Sequence, residues 1–156
     1  MDSKHKEGKR KGVFLVVVDE TKEYMNAVQK ASEFANAEDG YVALLYVMEQ
    51  SFVQNWQNIE ERIREEMRRS AEQHIWNASG MVIEQTQKKP MICIEEGDRS
   101  DLIVQTLENN PNIVALVLAA SSNASKPGSL VSYFSGKGLA RLKVPLMIVP
   151  SVEAQE

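Results

Sequence analysis

Five short apolar runs alternate along the chain with longer stretches whose apolar positions recur every three or four residues. The first run, Val13 to Val18, holds four valines and stops at Asp19. It is too short and too β-branched for a buried helix, and it is apolar on both faces, so it predicts a strand covered above and below. Tyr41 to Met48, Met91 to Ile94, Ile113 to Ala119 and Leu146 to Val149 repeat the pattern. Between the first two runs, Tyr24, Ala27, Val28, Ala31, Phe34 and Ala35 form a helical stripe that should stop before the turn signal Asp39-Gly40. Asp19 or Thr21 is expected to cap this helix.

The longest helical pattern runs from Trp56 to about Lys88, with Ile59, Ile63, Met67, Ala71, Ile75, Ala78 and Val82 on one face. Gly80 is its expected weak point, and Pro90 its expected end. Leu102, Ile103, Thr106 and Leu107 mark a third helix, with Gly97-Asp98 as the turn and cap before it. A polar stretch then leads to a short helix over about 129 to 142. Strand alternating with helix predicts a doubly wound parallel sheet with right-handed crossovers. Ligands of such sheets bind beyond the carboxyl ends of the strands, where strand order reverses, and Asp19 stands at such an end.

With 156 residues, 43% hydrophobic and only 6% aromatic, the chain suits one domain with an aliphatic core. A net charge of −4 argues against nucleic-acid binding by bulk charge. No apolar run reaches the roughly 18 residues of a membrane span, and the polar N-terminus has no signal-peptide core. The single cysteine, Cys93, has no internal partner, so a cytoplasmic location is expected. Residues 1–12 carry Lys4, Lys6, Lys9, Arg10 and Lys11 and are expected to be a disordered basic tail. Residues 13–150 form the domain and 151–156 a tail. Phe52 and Trp56, in the loop after the second strand, are expected to pack where the next helix meets the sheet.

The chemistry-bearing residues give no enzyme signature. Glu95, Glu96 and Asp98 fit a turn and cap better than a metal site. His74 reads as a structural residue without partners, and Cys93 as an inert thiol in a buried strand. No metal-ligand spacing, nucleophile elbow or Walker loop is present. The loop from Ala119 to Ser129 is small, polar and hydroxyl-rich; such a loop either cradles an anion on its backbone N–H groups or is plain surface.

Taken in order, FLVVVDET, ALLYV, EEGD, IVALVLAAS and VPLMIVP resemble the universal stress protein family across residues 13 to 150. The resemblance implies a Rossmann-like, adenine nucleotide alpha hydrolase-like fold with a five-stranded sheet of order 3-2-1-4-5. It also implies a dimer through the last strand, a role in stress survival and, as in many members, ATP binding. The family's adenine-contacting aspartate falls on Asp19, after Val18, its neighbouring hydroxyl on Thr21, and the second-strand valine on Val47. Its phosphate motif, G-x2-G-x9-G-[S/T], does not carry over. Without gaps its glycine slots fall on Ala119, Ser122 and Ser132 and its hydroxyl on Tyr133. Gly128-Ser129 or Gly136 can fill the third slot only after a four-residue shift. Side chains in glycine slots crowd a triphosphate, while Ser121, Ser122 and Asn123 can still donate to a smaller anion.

The expectation is therefore a non-enzymatic, cytoplasmic stress-response homodimer with a degenerate nucleotide site and weak or absent ATP or AMP binding. It would pair with itself through Leu146-Val149 and work through a protein partner the sequence does not name. The alternative is a true ATP- or AMP-binding member with slow hydrolysis, using Asp19 and the serine-rich loop. A receiver-like signalling domain fits less well, because Ile94-Glu95-Glu96 stands where the third strand would need a phosphoacceptor aspartate.

Overall fold

The computed structural model describes residues 11–49, 57–122 and 128–151, with only the backbone for 57–60. Phe52, Trp56, most of the basic tail, Asn123 and the C-terminal tail after Ser151 lie outside the described residues. Five strands, β1 (Val13–Val18), β2 (Tyr41–Met48), β3 (Met91–Glu96), β4 (Ile113–Ala119) and β5 (Leu146–Val149), form one parallel sheet of order β3-β2-β1-β4-β5. The connecting helices are α1 (Tyr24–Glu38), α2 (Gln57–Thr86), α3 (Arg99–Asn109) and α4 (Ser129–Ser135), followed by a 3₁₀ turn at Lys137–Arg141. This is the doubly wound architecture the apolar pattern predicts.

The pleat divides the core into two layers. Phe14, Val16 and Val18 of β1 face Val28, Ala31 and Ala35 of α1 and Ala71, Ile75, Ala78 and Val82 of α2. Val13, Leu15 and Val17 face Ile103, Val104 and Leu107 of α3 with Val131 and Phe134 of α4. A strand whose successive side chains enter opposite layers must be apolar throughout, as the valine-rich run is.

Several boundaries differ from the expected ones. α1 begins at Tyr24 with no side-chain cap, because Asp19 is engaged earlier: its Oδ1 accepts from the Thr21 backbone N (2.9 Å) and hydroxyl (2.5 Å), closing a turn ahead of the helix. Phe34, expected inward, is exposed and stacks on Phe14 with ring centroids 6.0 Å apart. α2 runs unbroken through Gly80 and ends at Thr86, ahead of Pro90, with Gln87 at φ 61°. The short fourth helix splits at Gly136 into α4 and the 3₁₀ turn.

Cys93 is not buried. β3 is an edge strand that α2 covers only in part, so Cys93 is exposed beside Met91 and Ile92. The partial burial it retains, with the Glu95 carboxylate second, pushes its thiol up. His74 is not without partners: it stacks on Tyr46 (6.2 Å) and meets Tyr24 edge-on (5.6 Å).

Candidate functional site

Strand order reverses between β1 and β4, and their carboxyl ends open onto a cleft of about 130 Å³. Asp19 and Thr21 line one side of it, Ala119 the floor, and Gly128 and Ser129 the start of α4. Gly128 sits at φ 113°, a conformation that glycine adopts without strain, and it turns the chain into the helix. The structure thus brings Gly128-Ser129, rather than Ser132-Tyr133, next to Asp19. Ser132 is exposed on α4 and lines neither this cleft nor its two neighbours. Gly128-Ser129 stands about one helical turn ahead of Ser132-Tyr133, where the ungapped register falls.

A second cleft of about 340 Å³ lies on the β2 side, lined by Glu20, Tyr46, Val47, Glu49, Met67 and Arg99 among others. Val47 lines this cleft although it is buried to 3% exposure. Val18, 1% exposed, precedes Asp19 as a core residue and lines neither this cleft nor the two beside it. Burial pushes the Tyr46 hydroxyl up, with the carboxylates of Glu20 and Asp19 adding to it. Tyr24 is raised chiefly by burial as well.

A third cleft of about 230 Å³ joins Glu49, Asp98, Arg99, Ser100, Ser129, Leu130 and Tyr133. Asp98 caps α3, accepting from Asp101 N (3.0 Å) and the Ser100 hydroxyl (2.9 Å), and these bonds hold its carboxyl below the usual range. The Tyr133 hydroxyl accepts from Arg141 Nη1 at 2.9 Å, and Arg141 Nη2 pairs with Asp101 at 2.9 Å, tying α4 to α3.

Three charged side chains near the strand ends, Arg99, Glu49 and Glu23, are not among the candidate residues read from the sequence. Arg99 borders all three clefts, paired through Nε with Glu49 at 3.3 Å. Glu23 reaches across to the loop after β4, accepting from Ser122 N and Oγ at 3.3 Å each. Ser121 and Ser122 are both half-buried, and Ser122's donors already face an internal carboxylate. The one signal available in sequence is that Arg99 is the sole basic residue in Glu95-Glu96-Gly97-Asp98-Arg99-Ser100, at a strand end.

A parallel α/β domain with its cleft at the point of strand reversal has the architecture of a nucleotide-type binding fold. Residues 12–150 match the model of the universal stress protein family, and the chain belongs to that family. Among solved structures it is similar to the universal stress protein UspA from Lactobacillus plantarum, with 18% identity, a TM-score of 0.76, and 91% of this chain and 99% of that one covered. A universal stress protein from Archaeoglobus fulgidus in complex with dAMP matches at 12% identity and TM-score 0.56, covering 89% and 97%. An Arabidopsis thaliana family protein with AMP bound matches at 14% identity and TM-score 0.57, covering 93% and 95%. No curated protein matches in sequence. Among the described residues no helix is long and apolar enough to cross a membrane.

Proposed function

We propose that this protein is a non-enzymatic, cytoplasmic universal stress protein that acts as a homodimer and senses an adenine nucleotide of low charge. The observation that carries this reading is the meeting of Asp19, Thr21, Gly128 and Ser129 in one small cleft. The adenine end keeps its aspartate, and one glycine–hydroxyl pair remains for a phosphate. Relatives of the same fold in complex with dAMP and AMP support a monophosphate as the ligand class.

Charge and space disfavour a triphosphate. The cleft is small and is lined by the Asp19 carboxylate, Ala119 and Ser122 fall on glycine slots, and two further carboxylates stand nearby, Glu49 on the cleft's Arg99 and Glu23 on Ser122. Each added phosphate charge meets that field at short range. Hydrolysis lacks a base: Thr21 and Ser129 bring hydroxyls to the cleft, but its described lining includes no histidine or cysteine. The Asp19 carboxylate is already held by Thr21.

The test is the nucleotide content of protein purified natively, read by mass spectrometry after denaturation, followed by incubation with magnesium and ATP. This reading expects no stoichiometric ATP and no ADP formed. Co-purified ATP at one per chain, or ADP released in proportion to protein, would establish the alternative ATP-binding, hydrolysing member.

A further inference from the structure

We infer that Arg99 is the phosphate-binding residue of this protein, and that Glu49 occupies it until a ligand displaces the carboxylate. The inference rests on the nucleotide reading above and moves the phosphate away from the loop after β4 toward α3.

Arg99 is the one side chain common to the three clefts at the carboxyl end of the sheet, and the only cation among their described lining residues. Its Nε lies 3.3 Å from a Glu49 carboxylate oxygen. The planar guanidinium presents further N–H groups in a fork that matches phosphate oxygens two at a time. Hydroxyls stand with it. Ser129 lines the adenine-side cleft and the third cleft alike, so it bridges them. Tyr133 lines the third cleft, and its hydroxyl accepts from Arg141, which leaves its own proton free to donate. Tyr133 thus supplies a donor to the third cleft rather than a bulky side chain to the cleft beside Asp19.

Among the described residues of the loop after β4, Ser122 is a poorer partner for an anion than Arg99. Its N–H and hydroxyl already face the Glu23 carboxylate. A phosphate there would meet like charge, whereas a phosphate at Arg99 exchanges one anionic partner for another. One guanidinium among several carboxylates balances one phosphate better than three, so the ligand class is a nucleoside monophosphate.

The test is calorimetry with adenosine, AMP and inorganic phosphate on wild type, Arg99→Gln and Glu49→Gln, with circular dichroism to verify folding. Wild type should bind AMP about tenfold or more tightly than adenosine, as a charge-assisted contact implies. Arg99→Gln should erase that advantage and leave adenosine unchanged, and Glu49→Gln should strengthen AMP alone. An AMP advantage that survives Arg99→Gln, or equal binding of AMP and adenosine by wild type, overturns the inference while keeping the adenine site. If neither nucleoside binds, the nucleotide reading fails. A nitrogen-15 titration of the Arg99 Nε–H with phosphate then decides separately: a saturable shift upholds Arg99 as an anion site, and no shift overturns it.

Discussion

At Gly40 a side chain has nowhere to go. An added Cβ would collide with the Gly12 carbonyl oxygen, the acceptor that Tyr41 N reaches at 2.9 Å to start β2 beside β1. Gly40→Ala should therefore cost about 1–3 kcal/mol in a denaturant melt, in the range of overpacking changes. Gly80, exposed on α2 with open space around its Cβ position, should behave oppositely, with Gly80→Ala gaining about 0.5–1 kcal/mol. Both glycines are plain in the sequence; only the backbone approach at Gly12 tells them apart. Beside Gly40, Asp39 closes α1 at φ 54° and pairs with Lys11 (2.6 Å) and Lys88 (2.8 Å). These bonds lower its carboxyl from 3.8 to about 2. A folded-state value depressed in this way contributes stability above the unfolded value, lost as pH falls from about 4 through about 2. Asp39→Asn should flatten that part of the acid limb in a pH series of thermal melts, and salt should weaken the wild-type effect because the groups are exposed.

At the scale of elements, the strands were legible because a run feeding two core layers must be apolar, and helices because their stripes face one layer. Edges and irregularities were not. β3 reads as a buried strand, yet its place at the sheet edge leaves Ile92 at 47% exposure and Cys93 open. Order in the sheet depends on connections, which composition does not encode. β4 carries an irregularity that no residue type announces: Val13 pairs with Ile113 but Phe14 with Ala115, so Val114 is extra and turns outward. The consequence for Cys93 is measurable. A thiol reagent should label it in the folded protein without denaturant, slowly at neutral pH because its thiol is pushed up, and faster as pH rises. Labelling only after unfolding would mean that β3 is covered in solution, for instance by another chain.

For the whole molecule, the opposite edge matters more. Among the described residues β5 pairs with β4 alone, and Ile148 is 41% exposed on it, so the proposed homodimer would join two such edges about a two-fold axis. Ile148→Lys should shift sedimentation from dimer toward monomer at tens of micromolar; a wild-type monomer at that concentration would contradict the dimer. The candidate site was half legible for a reason of the same scale. Asp19 and Thr21 sit in a local turn that sequence places directly, whereas Arg99 meets Glu49, and Glu23 meets Ser122, only in the fold. The proposed function has this assembly keep an adenine end and admit few phosphates. Calorimetric titration of one preparation with ATP and with AMP tests it most directly. The expected result is an ATP dissociation constant no tighter than roughly millimolar, about −4 kcal/mol, with AMP bound more tightly. Micromolar ATP binding that exceeds AMP and disappears in Asp19→Ala would contradict it.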